Sequence, residues 1–584
     1  MRTLRTIWPW MRPYRRYMIA GLGASFVGVL INLAIPLLTS RIIDDGIAMD
    51  DSDLVGRTAA LMIVLILAGM GASAGASVLG VHLASNTVTD LRRDLYSHVQ
   101  HLSFGNLDRL TSGEILTRLT SDMTKVTTLL SIGVSFVAQI PFMFFGALAA
   151  IVLIDVSLVP IVFVMLPIIA LLVWFVIVRS NVLYDLVQGR LDRLNTVLRE
   201  NIQGAEVIKA FVRQDHEIDR FDQAAGDLAE DATTVNQLVA SMFPTLLAVS
   251  SLGIAAVLWI GGANVIDGDL SQGELVAFIQ FMSLVAMPTI FFAFLQPMIS
   301  AAAASITRIS EVLAAEPKVP SMDGCIDLDA SLPAIDVSFE NVSFQYDGIA
   351  GGELGTDCAL RDVSLHIPGG RKVAILGATG SGKSTLVNLI PRFYDATHGT
   401  VRVGGVDVRQ LSKSSLRLQI GIALQEPYLF SGTVAESLRF GRPDATDDEV
   451  VQAAKAAQAH DFIMEMPDGY ESQLAQAGSN LSGGQRQRLS IARTLLAGPK
   501  ILIFDDSTSA VDLETEARIQ EVFESLTGVT VILVAQRIST ALGADEIVVL
   551  DDGRLAAQGT HADLLERSEI YRDIYRSQLG EPVS

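Results

Sequence analysis

Six apolar stretches in the first half of this chain leave few folds open to it; they lie near 17–39, 57–82, 130–154, 157–178, 240–264 and 274–299. Each is close to the ~20 residues that a helix needs to cross a bilayer. Hydrocarbon satisfies no backbone N–H or carbonyl, so these spans are expected to be helical. Pro288 and Pro297 interrupt the last stretch and soften its expected boundary. Long polar segments follow the second and fourth spans; both keep helical periodicity and are expected to carry the membrane helices into the cytoplasm.

Orientation follows from the arginines. Arg2, Arg5, Arg12, Arg15 and Arg16 precede the first span, and Arg92, Arg93, Arg109 and Arg118 lie in the first polar segment. The loop after the first span carries Asp44, Asp45, Asp50, Asp51 and Asp53 instead. The positive-inside rule therefore places the N-terminus and both polar segments in the cytoplasm. The start, MRTLRTIWPWMRPYRRY, is basic and aromatic with no small-residue cleavage site after its apolar run. A retained first helix is expected, not a signal peptide.

The chain of 584 residues is too long for one core, and its second half is Gly-punctuated and charged. EPKVPSMDGCIDLDASLPA has the composition of a linker, and from Ile335 short β-rich runs alternate with helical ones. That alternation indicates a mostly parallel α/β sheet. The expected architecture is an all-α membrane domain of six helices over 1–314, a linker over 315–334 and an α/β P-loop nucleotide-binding domain over 335–584. A formal net charge of −21 argues against nucleic acid as a partner. Cys325 and Cys358 are too few for a metal site, and a reducing cytoplasm disfavours a disulfide between them.

The chemistry concentrates in three motifs. KVAILG runs into Gly377, Ala378, Thr379, Gly380, Ser381, Gly382, Lys383, Ser384 and Thr385. Its glycines let backbone N–H groups curl around the phosphates of ATP, Lys383 offsets their charge, and Ser384 suits Mg²⁺. ILIFDD at 501–506 is a buried strand ending in two carboxylates, of which Asp505 fits a Walker B role in holding Mg²⁺. LSGGQRQRLSIARTLL at 481–496 opens a helix on Ser482, Gly483, Gly484 and Gln485, a second anion-binding helix start.

The last segment resembles the signature of ATP-binding cassette (ABC) proteins, and nearly the whole chain is similar to exporter-type half-transporters of that family, type IV exporter-like and of the multidrug or lipid group. The resemblance implies that Ser482, Gly483, Gly484 and Gln485 meet the γ-phosphate of ATP held by a facing domain, so a second half-transporter subunit is implied. Tyr346 resembles the aromatic residue that stacks on adenine, Gln425 the Q-loop ligand of Mg²⁺, and Ser509, Ala510, Val511 and Asp512 the D-loop. FGNLDRLTSGEILTRLTSD and ENIQGAEVIKAFVRQ resemble the coupling-helix regions.

Three positions depart from the family pattern. Asp506 stands where the catalytic glutamate is usual, and its carboxylate is one methylene shorter. Gln536 stands where the switch histidine is usual, and Gln476 with Ala477 replaces the glutamate turn before the signature. An intact signature beside a weakened site implies a heterodimer with this chain as its degenerate half. Asp506 and Gln536 would sit at the catalytic position with slow turnover, while the signature serves the partner's site.

No acidic or basic residue interrupts the middle of a span, so no charged cargo pocket is indicated. Asn32, Gln139, Gln280 and Gln296 are expected to hydrogen-bond between helices, and the Phe- and Met-rich sixth span offers an adaptable surface for a small lipophilic substrate. The location implied is a cell membrane crossed several times, bacterial inner or plasma membrane, with the nucleotide domain cytoplasmic. The alternatives are a homodimeric exporter with slow turnover, an exporter-fold importer of metal–chelator complexes, and an ATP-binding regulator that transports nothing.

Overall fold

A computed structural model describes residues 2–320, 324–346, 358–507 and 511–579; within these, the side chains of 2–4, 135, 137–138, 286–294, 296 and 513 are not described. The chain forms two compact units, 1–100 with 112–314, and 101–111 with 315–584.

The first unit is helical: α1 Arg2–Met11, α2 Arg15–Arg41, α3 Ser52–His101, α4 Met123–Ile154, α5 Val159–Gln203, α6 Gln214–Asp267 and α7 Gln272–Leu313. Among the described residues, five helices are long and apolar enough to cross a membrane, and α7 adds an apolar run over Gln272–Val285. At 42 to 54 residues, α3, α5, α6 and α7 are each much longer than a span requires. Pro288 and Pro297 do not break α7, contrary to the soft boundary expected there. Proline is tolerated in such helices because neighbouring groups re-satisfy the freed carbonyls.

Large apolar side chains such as Leu67, Leu153, Phe163 and Trp259 stand outward, the reverse of a soluble domain. α5 packs along α6, and α4 along α7. α3 and α4 meet so closely at Gly80 that a Cβ there would lie 2.5 Å from the Ser131 carbonyl oxygen. Polar groups fasten α7 at both ends. Near its start Asp44 accepts from Ser271 Oγ (2.6 Å) and Gly273 N (2.8 Å). Near its end Arg308 and Ser305 both donate to Asp122, which is fully buried one residue before α4. The spans' other polar residues behave differently from expectation. Asn32 is exposed, Gln139 and Gln280 are half-buried, and none of the three hydrogen-bonds to a described residue. The side chains of Gln296, Met287, Phe291, Phe292 and Phe294 lie outside the described residues, while Phe278, Phe281 and Met282 of the same span are fully buried.

The second unit is α/β. A six-stranded sheet contains β1 Lys372–Leu376, β2 Ile420–Ala423, β3 Ile501–Asp505, β4 Thr530–Ala535, β5 Glu546–Asp551 and β6 Arg554–Gly559, in the order β6-β5-β1-β4-β3-β2. All pairings are parallel except β5 with β6. The buried strands β3 and β4 are apolar over Ile501–Phe504 and Val531–Ala535, as a sheet covered on both faces requires. A four-stranded antiparallel sheet, Val337–Phe344 with its neighbours, packs beside it. The segment His101–Thr111 belongs to this unit. Its short helix Phe104–Leu107 sets Phe104 against Phe393 at a ring distance of 4.5 Å, and Asn106 Nδ2 donates to the Glu316 carbonyl at 2.9 Å.

Candidate functional site

The site gathers at the C-terminal ends of β1 and β3, where an open parallel sheet places its ligands. β1 turns through Gly377–Gly382 into the helix α8, Lys383–Leu389. Gly380 and Gly382 adopt φ of +87° and +95°, and a Cβ on Gly382 would lie 2.5 Å from the Ala359 carbonyl oxygen. Ala378, Thr379 and Gly380 are exposed at the crest of the loop. Lys383 is buried, and its Nζ donates to the carbonyls of Gly377 and Ala378 at 2.8 Å each. Ser384 Oγ donates to Asp505 Oδ1 at 3.1 Å, uniting the loop with the end of β3. Thr385 Oγ1 lies 3.2 Å from the Tyr346 hydroxyl.

Whether ATP and Mg²⁺ suit this place is tested by the electrostatics. Burial lowers the pKa of Lys383, while it raises those of Asp505 and Asp506, the latter also through the neighbouring Asp505 charge. Burial thus outweighs the neighbouring opposite charges at all three groups, so added anions would stabilise the lysine and an added cation the carboxylates. The Ser381 hydroxyl is buried with no hydrogen-bond partner among the described residues. Phosphate oxygens and a divalent cation would answer all of these deficits, so the residues fit. Lys383→Ala is expected to weaken ATP binding by about ten- to a hundredfold, the worth of a charge-assisted hydrogen bond. Titration with a fluorescent ATP analogue checks it; unchanged affinity would remove Lys383 from phosphate binding.

Asp506 shows an unusual arrangement. It follows β3 at φ +47°, a left-handed conformation that aspartate tolerates better than most residues. Gln536 Nε2 donates to Asp506 Oδ2 at 3.0 Å, and Gln425 Nε2 approaches the same oxygen at 3.5 Å. Two of the three departures from the family pattern therefore touch each other. Ala477 also sits at positive φ, +54°, in the turn that lacks the usual glutamate.

The helix α9, Gly483–Leu496, begins on a capping box: Ser482 Oγ accepts from Gln485 N (3.2 Å), and Ser482 N donates to Gln485 Oε1 (2.9 Å). Ser482 is exposed, with Gly483 and Gly484 half-exposed beside it. No hydrogen bond or ion pair joins Ser482–Gln485 to the loop 377–385 among the described residues. Asp512 caps the helix α10, Leu513–Ser525, accepting from Thr515 N at 2.9 Å, which lowers its pKa. Ser509 and Ala510 lie outside the described residues.

Sequence reasoning missed Tyr394 and Asp108. The Tyr394 hydroxyl donates to Asp108 Oδ2 at 3.0 Å, and its ring meets Tyr346 edge-on at 5.3 Å. These residues line a cavity of about 160 Å³ beside Tyr346. The aromatic pair Phe393–Tyr394 shortly after the phosphate loop was the available signal.

Residues 18–289 match the ABC transporter transmembrane region family, and residues 360–509 match the ABC transporter family. The chain is 37% identical over 566 residues to the ABC transporter ATP-binding protein YfiB of Bacillus subtilis, covering 96% of this chain and 97% of that one. It is 34% identical over 574 residues to a multidrug efflux ATP-binding/permease protein of Mycobacterium bovis, covering 96% of this chain and 46% of that one. Its fold superposes on a bacterial Atm1-family ABC exporter with ATP bound, with a TM-score of 0.80 at 24% identity over 98% of this chain and 99% of that one.

Proposed function

The chain belongs to the ABC transporter family, whose ATP-binding domain drives transport across the membrane, and from that premise we propose that it is the degenerate-site half of a heterodimeric exporter. One observation carries this reading: the Asp506 carboxylate, at the position of the water-orienting base, is held by the Gln536 amide at 3.0 Å. A carboxylate that accepts an amide N–H and sits one methylene short is poorly placed to take a proton from water.

In this reading Gly377 to Thr385 cradle the phosphates, Lys383 offsets their charge, and Tyr346 stacks on adenine. Ser384, Asp505 and Gln425 hold Mg²⁺, which supplies charge compensation at the transferring phosphate. The Ser482 end of α9 and Asp512 serve ATP held by the partner, and the lack of bonds from Ser482–Gln485 to this chain's own phosphate loop supports that assignment. A relative of which this chain covers 46% supports a unit made of two such halves. The relative's multidrug name and the absence of charge from the middle of the spans support a lipophilic cargo moved by alternating access, with ATP binding closing the nucleotide domains and hydrolysis at the competent site reopening them.

Purification from the native host is expected to bring down a second half-transporter with Glu and His at the two altered positions. The pair should hydrolyse ATP at least about tenfold faster than this chain alone, the least that a well-placed general base contributes. Vigorous transport-coupled ATPase activity from the chain alone would overturn the heterodimer and favour a homodimer.

A further inference from the structure

We propose that the N-terminal collar of the membrane unit is a docking surface for anionic phospholipid headgroups of the cytoplasmic leaflet. The collar comprises α1 and the turn into α2. Ile7 and Met11 are buried, while Arg5, Trp8, Arg12, Arg15 and Arg16 are exposed. Among the described residues none of these four arginines forms an ion pair. No acidic residue precedes Asp44 in the sequence.

The carboxylates that α3 presents to the collar are already engaged. Asp94 accepts from Trp10 Nε1 at 2.7 Å, and Asp90 accepts from the Tyr14 hydroxyl at 2.7 Å and pairs with Arg93. These bonds neutralise none of the collar arginines, yet they fix the collar to α3, as does the stacking of Tyr17 on His82 at 5.8 Å. Arg16 lies over the Tyr17 ring at 5.1 Å. The result is a set of exposed guanidinium groups on a backbone fixed to α3, each suited to bidentate phosphate contact.

Its height relative to a membrane identifies the occupant. α2 starts at Arg15, and the apolar span follows from about residue 17, so the arginines lie where hydrocarbon gives way to headgroups. Exposed Trp8 is the residue type that prefers this boundary. The whole chain carries −21, and the collar, with no acidic residue before Asp44, is a local exception to that charge.

The test uses the full-length transporter as assembled in its membrane, extracted gently and titrated with phosphatidylglycerol or phosphatidylcholine under native mass spectrometry. Wild type is expected to retain phosphatidylglycerol in preference, with the preference shrinking in high salt. The triple variant Arg12→Gln, Arg15→Gln, Arg16→Gln should bind phosphatidylglycerol at least about tenfold more weakly. The charge-conserving variant with lysine at the same three positions should keep most of the binding. ATP affinity at Lys383 serves as the control for folding, since it is independent of the collar. Equal retention of both lipids by wild type, or undiminished phosphatidylglycerol binding by the glutamine variant, would overturn the proposal.

Discussion

Replacing Ser482 with arginine is expected to lower the ATPase rate of the assembled transporter by on the order of a hundredfold or more, the cost of removing a preorganised donor from a transition state. The Ser482 hydroxyl does two things at the start of α9. It caps the helix through Gln485 N at 3.2 Å, and with the Gly483 and Gly484 amides it leaves an open, positively polarised end. Arginine fills that end with a cation and a long side chain. Losing the cap alone costs about 1 kcal/mol, too little to unfold a domain of this size. The rate should therefore collapse while the melting temperature moves by only a few degrees. ATP binding at Lys383 should persist, because no described bond links the two places. An unchanged rate would sink the cross-dimer role of the signature.

The second large effect runs in the opposite direction. With the partner's competent site disabled, Asp506→Glu combined with Gln536→His is expected to raise turnover at this chain's own site by about tenfold or more. Glutamate extends the carboxylate toward the water, and histidine removes the amide that now holds it at 3.0 Å. Asp506→Glu alone should gain less, for two reasons. The Gln536 amide would still compete for the carboxylate, and φ of +47° costs glutamate more than aspartate. Equal rates for the double variant and the parent would show that these two positions do not limit hydrolysis.

The spans, the phosphate loop and the signature were legible because their physics is local: a run of apolar residues, a strand entering a Gly-rich turn, a Ser-capped helix. The bond between Asp506 and Gln536 was not, since thirty residues separate them. It exists because β3 and β4 lie side by side in parallel, with Asp505 opposite Val534, which sends the next residues of both strands to one edge. Strand order is a global outcome that no local pattern announces. Pro288 and Pro297 misled for the related reason that proline's cost depends on what packs around it. The membership of His101–Thr111 in the nucleotide-binding unit, with its Asp108–Tyr394 bond, likewise rests on contacts remote in sequence.

Asp122 bears on how such a machine is able to move. Its carboxylate is fully buried and receives Ser305 and Arg308 from α7, so parting α4 from α7 at that level would break these charge-assisted hydrogen bonds and leave Asp122 with Lys125, 3.6 Å away on α4. A hydrogen bond to a charged group is worth about 1.5–3 kcal/mol, which favours keeping these two helices together. The two helices should therefore travel as a single stiff strut around Asp122. Bending is then left to places without such a lock, and the strut hands displacement along its length instead of absorbing it.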